Sequence, residues 1–386
     1  MTDKIKHIPQ GYKDSPLGII PKEWEVKRLG EICTHFKSGF TITAREISNT
    51  GLYPVYGGNG LRGYCPKYTH DGNYILIGRQ GALCGNINYV TGKNYISEHA
   101  IAVQTYENMQ WLRYKLENWN LNRFSESSAQ PGLSVEKLVR YKLIVPPRNE
   151  QVIIANVLQL WDTAMEKQSE LIEKLKLRKR ALMQQLLTGK KRLPGFSGEW
   201  KEVKLGDIFD ERNETNRDDL PLLSITGDKG VIYQSESDKR DISNDDKSKY
   251  KRICPNDIGY NTMRMWQGRS ALSSIEGIVS PAYTVVTPHK NVDVRFMAML
   301  IQQPRVVYDF WTHSQGLVSD TLNCKYPDFC QVKVRIPSKE EQTAIADMLY
   351  EFDKEINLAN ETLASLQSQK RGLMQQLLTG KKRLIL

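Results

Sequence analysis

Residues 179–193, KRALMQQLLTGKKRL, recur almost unchanged at residues 370–384, KRGLMQQLLTGKKRL. The two copies differ at one position, where Ala181 corresponds to Gly372. A match of fifteen residues does not arise by chance, so the sequence predicts two tandem halves. A long stretch with a helical pattern leads into each copy, and we expect these two stretches to organise the fold.

The helical stretches before the two copies share one apolar pattern. Ten apolar positions coincide at an offset of 191 residues, at intervals of three, four and seven, which is typical of a coiled-coil seam. They are Ile154, Val157, Leu158, Trp161, Met165, Ile172, Leu175, Leu182, Leu186 and Leu187, matched by Ile345, Met348, Leu349, Phe352, Ile356, Leu363, Leu366, Leu373, Leu377 and Leu378. Residues 150–188 contain no proline or glycine, which predicts a helix of roughly 60 Å. Gly189 and Gly380 follow where a C-cap is expected.

Neither helix can bury its apolar stripe alone. A variable domain separates the two helices in sequence, so the simplest arrangement is antiparallel packing of one helix on the other. The variable domains would then lie at opposite ends, related by a pseudo-twofold axis. The alternative is that each helix packs onto its own domain.

A second repeated segment marks the borders of the variable regions. Residues 21–32, PKEWEVKRLGEI, resemble residues 197–208, SGEWKEVKLGDI. Their offset is 176 residues instead of 191, so the second variable region is longer by 15 residues. The predicted domains are the variable regions 1–147 and 193–337 and the conserved helical regions 148–192 and 338–386.

Both variable domains have the pattern of mixed α/β structure. Residues 53–64, YPVYGGNGLRGY, predict tight turns between short strands. Helices are predicted at 109–124 and 292–311, and strands at 74–77, 100–103, 142–145, 282–286 and 332–336. The predicted fold class is α+β, with two mixed α/β domains separated by two long helices packed as an antiparallel coiled coil.

The charge of the chain favours a polyanionic partner over ordinary surface charge. There are 54 Lys and Arg against 44 Asp and Glu, a net charge of +10. Nine basic and three acidic residues lie between Glu166 and Arg192. Six cysteines without a CxxC pair, a polar N-terminal stretch and the lack of an apolar run of eighteen residues favour a cytoplasmic protein with reduced thiols.

The sequence motifs of the enzymes that act on DNA are missing. Residues 145–148, VPPR, lack the flanking residues of an amino-methyltransferase loop, and residues 189–191, GKK, lack the upstream glycine and the hydroxyl of a phosphate-binding loop. The acidic pairs 218–219 and 245–246 are typical of solvated turns, and the six histidines are scattered. We therefore expect no catalytic residue and no metal site, and a chain that recognises a partner without doing chemistry.

The order of variable and constant segments resembles that of the specificity subunit of type I restriction-modification enzymes. The resemblance rests on the duplicated helices, on LLTGKKRL followed by PGFSGEWKEVKLGDI, and on the helix starts PPRNEQVIIANVL and IPSKEEQTAIADML. The stretches YPVYGGNGLRGY and ILIGRQGALCGNINYVTGKNYISEHAIAV look like one kind of target recognition domain, and CPNDIGYNTMRMWQGRSALSSIEGIVSPAYTVV looks like another.

This resemblance implies that residues 1–147 and 193–337 are target recognition domains and that each reads one half of an asymmetric, bipartite site on double-stranded DNA. The paired helices would fix the gap between the halves and dock two methyltransferase subunits, which modify adenine. Motor-nuclease subunits would add ATP-driven translocation and cleavage. No cofactor is expected on this chain, since S-adenosylmethionine, ATP and magnesium would belong to the partners.

Arginine or lysine suits guanine, and asparagine or glutamine suits adenine, so such side chains on loops are candidates for base contacts. The candidates are Asn59, Arg62, Lys67, Arg79 and Gln80, with Tyr64 and Tyr68 lining a groove, in the first domain, and Lys251, Arg252, Arg264, Gln267 and Arg269 in the second. Lys190, Lys191 and Arg192, with Lys381, Lys382 and Arg383, are candidates for phosphates or for acidic groups of a partner. For each of them the alternatives are a phosphate contact or plain surface charge.

Three other functions remain open at this stage. The chain could be a nuclease or methyltransferase that acts alone, although the missing motifs count against this. It could be a coiled-coil scaffold for other proteins, which would leave the duplicated α/β domains unexplained. It could also be the specificity subunit of a type II-like system with fused methylation and cleavage functions.

Overall fold

The computed structural model describes residues 8–81, 83–125, 132–227, 229–237, 241, 243–316 and 322–384. Most of the polar N-terminal stretch considered above lies outside these residues. The chain divides into two compact units, and each unit contains one variable domain and a part of both long helices. Unit 1 comprises residues 1–170 and 361–386, and unit 2 comprises residues 171–360.

Unit 1 is built from short strands, two short helices and a part of each long helix. Its strands are β1 (Tyr12–Lys13), β2 (Ile20–Pro21), β3 (Glu25–Arg28), β4 (Cys33–Ser38), β5 (Tyr53–Gly57), β6 (Gly60–Cys65), β7 (His70–Asp71), β8 (Tyr74–Gly78), β9 (Ile87–Val90), β10 (Lys93–Ile96), β11 (Ala100–Thr105) and β12 (Lys142–Val145). Its helices are α1 (Met109–Asn118), α2 (Val135–Leu138), the start of α3 (Arg148–Leu186) and residues 361–377 at the end of the second long helix.

Unit 2 has a related set of elements. Its strands are β13 (Lys201–Lys204), β14 (Phe209–Glu211), β15 (Leu223–Ile225), β16 (Val231–Tyr233), β17 (Lys251–Ile253), β18 (Ile258–Asn261), β19 (Ser270–Leu272), β20 (Gly277–Val279), β21 (Tyr283–Pro288) and β22 (Lys333–Ile336). Its helices are the end of α3 (residues 171–186), α4 (Val294–Leu300), α5 (Pro304–His313), α6 (Tyr326–Gln331) and the start of α7 (Lys339–Leu377).

The two units share a framework of two sheets. The order β4-β11-β8-β9 in unit 1 corresponds to β14-β21-β18-β19 in unit 2, and the pair β12-β3 corresponds to β13-β22. They differ outside this framework, where unit 1 has the sheet β6-β5-β10-β7 and unit 2 has the separate pairs β15-β16 and β17-β20. The repeated sequence segments build β3, β13 and the ends of the long helices, whereas the variable sequence builds both the equivalent four-stranded sheets and the parts that differ.

Within each unit, the start of one long helix lies antiparallel to the end of the other. In unit 1, Asp162 of α3 accepts a hydrogen bond from Lys370 of α7 at 2.5 Å. In unit 2, Lys179 of α3 donates to Asp353 of α7 at 2.5 Å. Helix α3 and helix α7 each span 39 residues. The predicted packing of one helix on the other is thus confirmed within each unit.

The repeated phrase ends each helix and anchors it in a core. Gly189 and Gly380 have φ angles of 68° and 73°, a left-handed conformation that ends a helix and suits glycine. Leu186 at the end of α3 is buried in the core of unit 2, together with the start of α7. Leu377 at the end of α7 is buried in the core of unit 1, together with the start of α3.

Two helix predictions need correction. The predicted helix 292–311 is two helices, α4 and α5, because Pro304 has no N–H to continue the first one and instead occupies the first turn of the second. The predicted helix 109–124 ends at Asn118, since Asn120 adopts a left-handed conformation with φ 48°. The predicted strands at 74–77, 100–103, 142–145, 282–286 and 332–336 are confirmed to within one or two residues. In the part of the chain that the structure describes, every helix is too short or too polar to cross a membrane.

Candidate nucleic-acid interface

The β5–β6 hairpin of unit 1 presents two of the predicted residues at its exposed tip. Asn59 is exposed in the turn between the strands. Val55 pairs with Gly63 and Tyr56 pairs with Leu61, so Arg62 is the extra residue of a β-bulge. A bulge bends its strand and changes the direction of a side chain, and the Arg62 side chain is exposed to solvent.

This hairpin packs against the segment that follows β8, which carries two more predicted residues. A Cβ added to Gly58 would lie 2.9 Å from the carbonyl oxygen of His99. The same oxygen accepts a hydrogen bond from the Arg79 backbone at 2.9 Å, and Gln80 Oε1 lies 3.1 Å from His99 Nδ1. The structure thus brings Asn59, Arg62, Arg79 and Gln80 onto one surface, which we call the hairpin surface.

The remaining candidates of unit 1 lie outside this surface. Lys67 Nζ binds Glu46 Oε1 at 3.2 Å, and this contact raises the pKa of the lysine. Tyr68 packs edge-on against Tyr53 with 5.1 Å between ring centroids. Tyr64 is half-buried in β6 and exchanges backbone hydrogen bonds with a neighbouring loop. Lys67 is therefore already neutralised by a carboxylate of its own domain.

In unit 2, three predicted residues line one cleft. Arg264, Gln267 and Arg269 are exposed on its wall. The cleft has a volume of about 670 Å³, and none of the described residues that line it is acidic. Lys229 and Tyr283 also line it. The cleft is concave, cationic and provided with amide groups, which suits a ligand that carries phosphate and base edges.

Lys251 and Arg252 do not line this cleft. Lys251 Nζ lies 3.3 Å from Glu211 Oε1. Arg252 donates to Glu214 at 2.7 Å and to Glu276 at 2.6 and 2.8 Å. These hydrogen bonds raise the pKa of the Arg252 guanidinium. Both side chains therefore bind acidic groups of the protein, and their predicted contact with DNA stays a prediction.

The basic end of the repeated phrase divides into two kinds of residue. Lys190 and Lys191 are exposed, as are Lys381 and Lys382 in the other copy. Arg192 binds Glu341 Oε1 and Oε2 at 2.5 and 2.6 Å. In the other copy, Arg383 binds Glu150 and Glu23 in the same way. The lysines are available to a partner, whereas each arginine joins the end of one long helix to the start of the other.

Sequence reasoning missed Lys229. This lysine lies between Gly227 and Gly230 in the turn that joins β15 to β16, and it lines the cleft beside Arg269. A cation flanked by glycines is the pattern that drew attention to Arg62, so the same signal was present. The acidic pairs 218–219 and 245–246 are exposed, and the described residues contain no group of three side chains that could hold a metal ion.

Comparisons with known proteins agree with this architecture. The family model described as type I restriction modification DNA specificity domain matches residues 21–177 and 197–368. The chain is 43% identical to the type I restriction enzyme EcoprrI specificity subunit of Escherichia coli over 160 residues, which make up 39% of this chain and 40% of that protein. The MjaVIII specificity subunit of Methanocaldococcus jannaschii is 22% identical and covers 94% of this chain, aligned to 93% of that protein.

A solved structure has the same fold. The S subunit of a type I restriction-modification system from M. genitalium has a TM-score of 0.58 at 15% identity. It covers 92% of this chain, and the match spans 96% of that subunit.

Proposed function

Because the chain belongs to the type I restriction modification DNA specificity family, we propose that it is the non-catalytic subunit that selects the DNA site of a type I restriction-modification complex. Residues 1–147 and 193–337 are its target recognition domains, and each reads one half of an asymmetric, bipartite site. Residues 148–192 and 338–386 carry the helices that fix the gap between the halves.

The observation that carries this proposal is the contrast between a shared framework and two different variable surfaces. The sheets β4-β11-β8-β9 and β14-β21-β18-β19 have the same order. The segment after β8 is joined by the β5–β6 hairpin in unit 1, whereas the segment after β18 is joined by the β15–β16 turn in the cleft of unit 2. Two different surfaces on equivalent frameworks support the reading of two different half-sites. Side chains that can bind bases lie on both, Arg62 and Arg79 on the first and Gln267 and Arg269 on the second.

The exposed lysines of the repeated phrase support the binding of polyanions or acidic partners. Lys190, Lys191, Lys381 and Lys382 are placed to bind phosphates in the unread gap or acidic groups of two methyltransferase subunits. These partners modify adenine with S-adenosylmethionine, and motor-nuclease subunits supply ATP- and magnesium-dependent translocation and cleavage. The complex acts in the cytoplasm, where its DNA lies.

The test is a methylome. We would co-express the chain with its methyltransferase in a host without adenine methylation and map the modified adenines by long-read sequencing. A single split motif with a fixed gap is expected. Replacement of residues 200–335 by the corresponding region of a relative should then change one half of the motif and leave the other unchanged.

Two results would contradict the proposal. One is the absence of any new methylation although the complex assembles, which would favour a scaffold for other proteins. The other is DNA affinity that does not fall with salt, because a protein that neutralises phosphates releases counterions and loses affinity steeply as salt rises.

A further inference from the structure

We infer that Gly57 and Gly227 are specificity-determining residues, because each gives room to an arginine that reads a guanine in its own half-site. Arg62 occupies the space beside Gly57 in unit 1, and Arg269 occupies the space beside Gly227 in unit 2. This inference rests on the proposed function and names residues and a base class for it.

The contact in unit 2 is the closer of the two. A Cβ added to Gly227 would lie 2.4 Å from Arg269 Nη1, and among the described residues the atoms that it would meet within 4 Å all belong to this guanidinium. The φ angle of Gly227 lies outside the left-handed region, so its backbone accepts other residues. The lack of a side chain at position 227 therefore leaves room for the guanidinium of Arg269.

In unit 1, the glycine faces the stem of the arginine instead of its guanidinium, and it again leaves room for the side chain. A Cβ added to Gly57 would lie 2.6 Å from Arg62 Cδ and 3.4 Å from Arg62 Cγ. Gly57 also has a φ angle outside the left-handed region. Arg62 is the bulged residue of β6, so the bulge sets its direction and the glycine lets its stem lie flat on the strand.

Both arginines keep their donors available. Within the part of the chain that the structure describes, neither the Arg62 nor the Arg269 side chain makes a hydrogen bond or ion pair, and both are exposed. Arg252, in contrast, donates to two carboxylates. A guanidinium with free donors matches the O6 and N7 acceptors of guanine, which it binds with two hydrogen bonds. The geometry thus separates arginines that face a ligand from arginines that hold the fold.

Gly227→Ala displaces Nη1 at the far end of the Arg269 side chain, so the fold should stay intact. Gly57→Ala meets the Arg62 stem at Cδ and lies 3.4 Å from Ser97 Oγ, so its effect on stability is measured together with its effect on the motif. We would compare methylomes of the wild-type complex with those of Gly57→Ala, Arg62→Ala, Gly227→Ala and Arg269→Ala. Gly372→Ala is the matched control, since no atom lies within 4 Å of the new methyl group and the other copy of the phrase has Ala181 there. Thermal unfolding of each complex checks the fold.

We expect Gly227→Ala and Arg269→Ala to relax the same single guanine position in one half of the motif, and Gly57→Ala and Arg62→Ala to relax one in the other half. The loss of discrimination at that position should be roughly 5- to 150-fold, the range for one bidentate contact. Gly372→Ala should keep the wild-type motif.

Three results would overturn the inference. An unchanged motif in the glycine variants beside a relaxed one in the arginine variants would show that the glycines do not position the arginines. A uniform loss of methylation at all sequences would identify the arginines as phosphate contacts. If the wild-type complex methylates no bipartite motif, the proposed function is wrong, and this inference is wrong with it. The methylome of the wild type alone reveals this outcome.

Discussion

Asp162 on α3 accepts hydrogen bonds from Lys370 on α7 and from Tyr114 on α1, both at 2.5 Å. The Lys370 side chain is 11% exposed and the Asp162 side chain 20%, so the pair is largely removed from water. The equivalent pair of unit 2, Lys179 and Asp353, has side chains that are 19% and 44% exposed. The repeated sequence thus places the same ion pair at two sites of different burial.

This difference predicts unequal costs for the same substitution. Asp162→Ala leaves a buried ammonium and the Tyr114 hydroxyl without an acceptor, and should lower the free energy of unfolding by about 1.5–3 kcal/mol. Asp353→Ala removes the more exposed partner and should cost less than about 1 kcal/mol. Urea unfolding of the two variants measures both values, and equal losses would show that burial does not decide the contribution of this pair.

Arg192 and Arg383 occupy equivalent positions near the end of the repeated phrase, but we expect their replacement to lower stability by different amounts. Arg192→Ala leaves the Glu341 carboxylate, whose side chain is 2% exposed, without its ion-pair partner, and should lower the free energy of unfolding. Arg383→Ala should cost less, because Glu150 keeps a hydrogen bond from Trp24 Nε1 at 3.1 Å. The indole nitrogen of Trp200, at the corresponding place in unit 2, is buried without a hydrogen bond among the described residues.

Thermal unfolding compares the two arginine variants. The double variant Arg192→Ala, Glu341→Gln is the control, because a neutral amide removes the unpaired charge and should recover part of the lost stability. If Arg192→Ala and Arg383→Ala unfold at the same temperature, the indole of Trp24 does not replace the arginine.

The long helices could be predicted from the sequence because they repeat and because their apolar spacing is regular. Five strands could be predicted because each is a short apolar run, whereas other strands of the framework, such as β4 and β18, were not predicted. The contacts of Arg252 and Lys67 could not be predicted, since a basic residue looks the same in sequence whether its side chain meets DNA or a carboxylate. Their partners, Glu276 and Glu46, lie 24 and 21 residues away in sequence, and only the fold brings each pair together. The break between α4 and α5 was visible in the sequence as Pro304, but the apolar spacing of residues 292–311 hid it.

Arg252 and Arg79 should respond to alanine in opposite ways. Arg252→Ala removes ion pairs with Glu214 and Glu276 and should lower stability by up to about 1 kcal/mol, with the methylation motif unchanged. Arg79 is half-exposed on the hairpin surface, and its side chain makes no hydrogen bond or ion pair with the described residues. Arg79→Ala should leave stability within about 0.5 kcal/mol but weaken or relax the first half-site. Methylomes and unfolding curves of both variants check this, and a changed motif in Arg252→Ala would contradict the structural role of that residue.

Lys115 predicts a dependence of stability on pH. Its side chain is buried, with the residue 7% exposed, and Nζ donates to the carbonyl oxygen of Leu378, at the end of α7, at 2.6 Å. Burial lowers the pKa of Lys115 to about 8, from an ordinary value of about 10.4. Between these two values the unfolded chain binds more protons than the folded one, so the free energy of unfolding should rise with pH.

The measurement compares the wild type with Lys115→Met at pH 7 and pH 10. Other lysines and tyrosines titrate equally in both proteins, so the difference between their unfolding free energies isolates Lys115. This difference should shift in favour of the wild type by roughly 2.5 kcal/mol between pH 7 and pH 10, because the cost of the buried charge is present in full below pH 8 and is lost gradually as the pH rises from 8 towards about 10.4. A difference that stays constant over this range would mean that Lys115 keeps an ordinary pKa in the folded protein.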